Sequence, residues 1–240
     1  DNLAGQDYPV DKLEVIIVDS ASTNGTVNII EDWIRRNKGA GTKLIRELDR
    51  GGKARALNVA LKDATGEIVA IADVDAIWPK NALSETVKWL SDPTVGAVSC
   101  LKNPIGSEIT EIERTYREYY NVIRVCESKA WATPIFHGEL ATFRKELLMK
   151  VGGFPEHIGA DDSHTATKIA MLGYRAIIPD TLCCEEVAPI RGNYFRWRVR
   201  RAQHLVQHFA KIRYIGLKAN NKFTNILLFE SYLHLVNPWI

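Results

Sequence analysis

Four groups of residues have types and spacings suited to chemistry. The tightest is Asp73-Val74-Asp75, two carboxylates one residue apart, directly after the buried run Ile68-Val69-Ala70-Ile71-Ala72. Paired carboxylate oxygens suit a hard divalent cation, Mg2+ or Mn2+, which would bridge to the phosphates of a substrate. The competing reading is a solvated acidic turn ahead of a helix that Pro79 opens. Asp161-Asp162 comes second. An acidic pair at a helix start often only caps the helix; its catalytic use would be as a general base that takes the proton of an attacking hydroxyl. Third is Gly51-Gly52-Lys53-Ala54-Arg55-Ala56-Leu57-Asn58. A glycine turn opening a helix offers free N–H groups and a lysine to a phosphate or ribose. It is not a Walker A loop, because the spacing to Lys53 is wrong and no Ser or Thr follows. An ordinary turn with a solvated lysine is the alternative.

The fourth group is the stretch from Arg191 to Lys222, with nine Lys or Arg and no Asp or Glu, interleaved with Tyr194, Phe195, Trp197, Phe209 and Tyr214. Phe195, Val199, Ala202, Leu205, Phe209 and Ile212 share one helical face. Arginines such as Arg198, Arg200 and Arg201 could clamp a pyrophosphate, the helix could lie on an anionic membrane surface, or the charges could form a solvated face. No RNA-binding module pattern is present, and a net charge of +2 makes the whole chain no polyanion binder; nucleic acid is not expected as a partner.

The elements that must hold these groups alternate. Leu13 to Val18 reads as a buried strand ending at Asp19, followed by a polar turn and a helix with Val27, Ile30 and Ile34 on one face. Lys43 to Leu48, Ile68 to Ala72 and Val95 to Cys100 read as strands, with a helix over Ala54 to Leu61. Such alternation implies parallel pairing with crossovers and a doubly wound α/β sheet, in which ligands bind beyond the carboxyl ends of the strands. Asp19 and Asp73 both stand at such ends. From Ile109 the pattern becomes one long amphipathic helix through Cys126. Ile135 to Arg144 reads as extended, Asp161 to Leu172 as a helix, and Arg175 to Pro179 as a last short strand. The 240 residues, 46% hydrophobic and 25% charged, are ordinary globular composition. The four cysteines, Cys100, Cys126, Cys183 and Cys184, form no C-x-x-C pair and read as reduced, mostly buried side chains, which favours a cytosolic setting. Phe223 to Ile240 reads as a packing helix or as the approach to a membrane segment.

In order and spacing, Glu14 to Thr26 (EVIIVDSASTNGT), Gly51 to Asp75 (GGKARALNVALKDATGEIVAIADVD), Gly138 to Leu147 (GELATFRKEL) and Val151 to Arg175 (VGGFPEHIGADDSHTATKIAMLGYR) resemble family 2 glycosyltransferases of the GT-A fold. The resemblance covers roughly residues 4 to 205. It implies an inverting transferase that takes a sugar from a UDP- or GDP-sugar and gives it to a hydroxyl acceptor, a polyprenol-linked glycan among the candidates, at the cytoplasmic face of a membrane or in the cytoplasm. The implied roles are Asp19 and Ser20 for the nucleoside, Lys53 and Asp73 beside the donor, Asp73 and Asp75 for Mg2+ or Mn2+, Asp162 as base, and Gly138, Glu139 and Asp161 at the acceptor. The processive members' Q-x-x-R-W is here Trp197-Arg198-Val199-Arg200-Arg201, which keeps only Arg200 and favours transfer of one sugar. Relatives also begin with a strand that this sequence lacks. The expected division is a catalytic domain over 1–190 and a basic, apolar helical segment over 191–240, with further chain expected beyond both ends. The rival readings are a processive synthase, a non-catalytic nucleotide-sugar or membrane-binding module, and a nucleotidyltransferase.

Overall fold

The structure, a computed structural model, describes the chain except residues 38–40, 107–108, 188–190 and 213–220 and the side chains of Arg191 and Asn221. Arg213, Tyr214 and Lys218 of the basic stretch therefore lie outside the described residues. The β-branched run at 15–18 forms β1 (Glu14–Ser20). Gly25, in the left-handed region at φ 81°, turns the chain into α1 (Thr26–Arg36). β2 (Gly41–Glu47) returns parallel to β1, in register from Glu14 opposite Gly41 to Ser20 opposite Glu47. Next come α2 (Lys53–Asp63), β3 (Ile68–Ile71), β4 (Ala76–Ile77), α3 (Ala82–Leu90), β5 (Val95–Ser99) and β6 (Leu101–Ile105). The remainder is α4 (Glu111–Ala130), β7 (Ala141–Arg144), α5 (Lys145–Lys150), α6 (Asp161–Met171), β8 (Arg175–Ile177), β9 (Cys183–Val187), α7 (Arg191–Ile212) and α8 (Asn221–Leu235).

Strands pair in three groups: β1 with β2, then β3-β7-β5-β8, then β4-β9-β6. Parallel pairing holds for β1–β2, β5–β8 and β6–β9, whereas β3–β7, β5–β7 and β4–β9 are antiparallel. The α/β alternation is as expected, but the pairing is mixed rather than mostly parallel. The physical reason is β7. Only the last four residues of the extended segment expected at 135–144 form a strand, and they enter between β3 and β5 from the opposite end. The preceding residues 135–140 are a buried loop. Every residue of β5 is buried, as the middle of a two-faced sheet requires, and Val95, Ala97, Val98, Ala141 and Phe143 have no exposed surface.

Helix α4 inverts its expected orientation. Its apolar stripe faces outward, with Ile112 82% and Tyr119 64% exposed, while Glu113, Arg124, Glu127 and Ser128 are buried. Charge pairing explains the inversion. Arg124 bonds Glu127 (2.9 Å) and Glu230 of α8 (2.6 Å), and Glu113 bonds Arg198 and Tyr194 of α7 (2.6 and 2.7 Å). On α7 only the C-terminal half of the apolar stripe packs: Phe209 and Ile212 are buried with Leu227 of α8, while Phe195 is 79% exposed. Cys100 and Cys184 are buried, but Cys126 and Cys183 are exposed, and all four are free thiols. Among the described residues no helix is long and apolar enough to cross a membrane.

Candidate active site

The end of β3 is fastened on both sides. The Asp73 amide donates to the Gly138 carbonyl (3.0 Å), the Asp73 carbonyl accepts from Ala76 N (3.2 Å), and the Asp75 carbonyl accepts from Val187 N at the end of β9 (3.2 Å). The 135–140 loop is fastened to the start of α6 in turn, since Ser163 Oγ bonds both the amide (3.0 Å) and the carbonyl (3.2 Å) of Phe136. These ties bring three separate sequence groups to one point. A Cβ built on Gly138 would lie 2.6 Å from Asp73 Oδ2, 2.9 Å from Lys53 Nζ and 3.2 Å from Asp162 Oδ2. Any side chain there would push these three side-chain ends aside. Lys53, the first residue of α2 after Gly52 (φ 87°), donates to Asp73 Oδ1 at 2.5 Å.

The electrostatics follow from this crowding. Burial works against the Lys53 ammonium, but Asp161, Asp162 and Asp73 outweigh it and raise its pKa. Burial and then the Asp161 carboxylate push Asp162 up to about 7. Burial likewise raises Asp161, against the pull of Lys53. Asp161 Oδ2 is buried without a hydrogen-bond partner among the described residues. An acid poised near neutrality can accept a proton during a reaction.

For a divalent cation, Asp73 and Asp75 supply hard oxygen donors. Asp75 is exposed, and Asp73 keeps one oxygen away from Lys53. No group of three or more His, Cys, Asp or Glu among the described residues could hold an ion by itself. Mg2+ and Mn2+ are commonly held by one or two carboxylates together with substrate phosphates, and the Asp73 and Asp75 oxygens are donors of that kind.

The other expected residues are distributed less simply. Asp19, next to last in β1, is buried and accepts from Ser22 N (3.1 Å); the Ser22 side chain and then this amide lower its pKa. Ser20 Oγ bonds Glu47 of β2, whose carboxylate also takes Arg55 (3.1 Å). Glu139, expected at the acceptor, is instead buried: it is 2% exposed and bonds Lys102 (2.5 Å), and its carbonyl takes Trp78 Nε1 (2.7 Å). Arg198 is committed to Glu113 and lies over the rings of Tyr116 and Tyr194. Arg200 is exposed. Arg201 is ion-paired with Glu186 and Glu139 and stacks on Trp197 at 4.4 Å, and it stands near enough to Asp162 to sense its charge. Of the three arginines expected at the donor, the structure brings only Arg201 to the carboxylates. Sequence reasoning missed Lys102, Glu186 and His204. His204 rests its ring on Gly159, so closely that a Cβ there would lie 2.1 Å from it, and it is influenced by Asp161 and Lys53. Its signal was its place one turn after Arg200 and Arg201 on α7; Lys102 and Glu186, from separate strands, had none.

Comparison with known proteins gives the family and the fold. The sequence profile described as Glycosyl transferase family 2 matches residues 1–152. The solved mannosyltransferase PcManGT from Pyrobaculum calidifontis, in complex with GDP-Man and Mn2+, is 58% identical with a TM-score of 0.91, over 99% of this chain and 65% of that one. TarS of S. aureus in complex with UDP-GlcNAc shares the fold at 19% identity and a TM-score of 0.69, over 99% of this chain and 68% of that one. Cellulose synthase 1 catalytic subunit [UDP-forming] of Komagataeibacter xylinus is 26% identical over 85% of this chain and 28% of its own length. Poly-beta-1,6-N-acetyl-D-glucosamine synthase of Staphylococcus epidermidis is 28% identical over 94% and 55%. The chain thus spans little more than half, or less, of these curated relatives.

Proposed function

This chain belongs to glycosyl transferase family 2 and has the GT-A fold, and from that premise we propose that it is an inverting glycosyltransferase that moves one sugar from a nucleoside diphosphate sugar to a hydroxyl acceptor. The observation that carries the proposal is the convergence of Lys53, Asp73 and Asp162 on Gly138, with Asp162 poised near pH 7. Asp162 takes the acceptor's proton as its oxygen attacks the anomeric carbon; the glycosidic bond to the diphosphate breaks in the same displacement, inverting that centre without an enzyme nucleophile. Lys53 stands where negative charge builds on the leaving diphosphate. Asp73 and Asp75 would hold Mg2+ or Mn2+, which when bound neutralises that diphosphate. Asp161 stays beside the base and raises its pKa.

Asp19, with Ser20 and Glu47 beside it, is the proposed nucleoside end of the donor site. The GDP-Man complex of the 58% identical relative supports a GDP-sugar as the donor to try first. The test is calorimetric titration of GDP and UDP with and without Mn2+. Metal-dependent binding that Asp75→Ala abolishes is the expected result; no binding of either nucleotide under any condition would return the chain to the reading of a non-catalytic module.

The polysaccharide synthases among the relatives keep a processive reading open. Arg201, ion-paired and stacked on Trp197 where processive members carry tryptophan, favours single transfer, and product-length analysis decides between them. A place at a membrane surface is supported by exposed Phe195, Val199, Arg196 and Arg200 on α7, the start of the proposed 191–240 segment. Sedimentation that shows no preference for anionic liposomes would remove it.

A further inference from the structure

Asn58 closes the glycine-and-lysine group at 51–58, and no role in the donor site falls to it. It stands on α2 five residues after Lys53, about 7.5 Å farther along the helix axis. Its side-chain amide meets the backbone of Phe154 at two points: Nδ2 donates to the Phe154 carbonyl (2.8 Å) and Oδ1 accepts from the Phe154 amide (2.9 Å). Nδ2 also reaches Glu156 Oε1 (3.2 Å). The approach is close, because a Cβ on Gly153, itself in the left-handed region at φ 73°, would lie 2.6 Å from Asn58 Oδ1. These bonds join residues 96 and 98 positions apart in the chain.

The loop held in this way runs into α6, whose first two residues are Asp161 and Asp162. Its far end is held from α7: the Gly159 amide donates to Gln207 Oε1 (3.4 Å), Lys211 Nζ donates to the His157 carbonyl (3.4 Å), and the His204 ring rests on Gly159. Those contacts do not reach α2. Leu61, one turn beyond Asn58, shares the main core with Phe154, but apolar contact is non-directional and lets a helix slide along its axis. A two-point amide bond is directional and fixes the register. Asn58 therefore sets where Lys53, at the head of α2, stands relative to Asp162, at the head of α6.

We propose that Asn58 is a positioning residue for the transfer: by clamping α2 to the loop ahead of α6, it holds Lys53 and Asp162 at the spacing that a donor and an attacking hydroxyl need between them. The proposal rests on the transferase reading. The Asn58 side chain bonds Phe154 and Glu156, so its loss leaves Asp19, Asp73 and Asp75 in place and the nucleotide still binds. What is lost is alignment, and misaligned reacting groups slow the chemical step more than they weaken binding.

The experiment gives the full chain GDP-mannose and Mn2+ with water as the acceptor: the bond between mannose and the diphosphate breaks, and mannose and GDP are released. Asn58→Ala is expected to lower kcat for GDP release about tenfold or more, while KM and the calorimetric affinity for GDP with Mn2+ change little. Asn58→Asp, equal in size but without the amide donor, should be as slow, because an oxygen then faces the Phe154 carbonyl and Glu156. Gly153→Ala, which presses on the clamp from the loop side, should be slow too, and combining it with Asn58→Ala should add no further loss. Hydrogen exchange should quicken over residues 154–162 in Asn58→Ala and stay as before in β5. Unchanged kcat in Asn58→Ala, full activity in Asn58→Asp, or kcat and GDP affinity falling together would overturn the positioning role. Absence of GDP release from the unaltered chain would strike the transferase reading, and exchange would still decide the clamp, since exchange that does not quicken removes it.

Discussion

Asp162 is a carboxylate whose pKa its surroundings have moved into the working range of a base. Burial and Asp161 raise it to about 7, so below that pH it holds the proton that it must be free to accept. Transfer is expected to rise with pH through an apparent pKa near 7, read from the profile of kcat/KM. Asp162→Asn should lower kcat by roughly 10^3-fold while leaving GDP and Mn2+ binding in place. The same variant should melt at higher temperature at neutral pH: a carboxylate with a raised folded-state pKa contributes stability only while protonated, and loses it as pH rises from the unfolded value toward 7. Gly138 is the complementary residue, because what matters there is the absence of a side chain. Gly138→Ala would place a methyl group against Asp73, Lys53 and Asp162 at once. It should lower kcat/KM by about tenfold or more with a small change in melting temperature, since the atoms it displaces are side-chain ends.

Helix α4 shows how an element can be read correctly in type and wrongly in orientation. Its 3.6-residue period is plain in the sequence, and the period alone turns Ile112, Tyr116 and Tyr119 inward. What turns them outward is a set of partners distant in sequence: Glu230, 106 residues from Arg124, and Arg198, 85 residues from Glu113. Burial pushes Glu127 up to about 8, and the ion pair that ties α4 to α8 is Arg124 with Glu230. Breaking it from one side strands a buried charge. Arg124→Ala should therefore cost about 3–5 kcal/mol in urea denaturation, and the double replacement Arg124→Met, Glu230→Leu should recover much of that loss. Recovery that fails would mean the seam works through hydrogen bonds that the apolar pair cannot replace. Exposed Ile112 provides the contrast, since Ile112→Ala should change stability by less than about 0.5 kcal/mol.

At the scale of the whole molecule, the helices after residue 190 are part of the packing and not an appendage. Phe223 joins the main core, Leu227 closes over Phe209 and Ile212, and Glu230 answers Arg124. A chain ending at Ile212 should lose several degrees of melting temperature and become sensitive to limited proteolysis in α4, because it exposes apolar surface and orphans Arg124 together. An unchanged melting temperature would show that α8 only rests on the surface. By itself the sequence determined the α/β alternation, the strand ends carrying Asp19 and Asp73, the helix starts carrying Lys53 and Asp162, and membership in a family whose motifs lie in a fixed order. All of these are local signals: a β-branched run, a glycine turn, an acidic first turn. It did not determine the antiparallel entry of β7, the burial of Glu139, the diversion of Arg198 to Glu113, or the cluster of Lys102, Glu186 and Arg201. Those depend on which charges meet across scores of residues. A buried charge is stable only beside its partner, and the partner's place is set by the packing of the whole chain, which no local pattern contains.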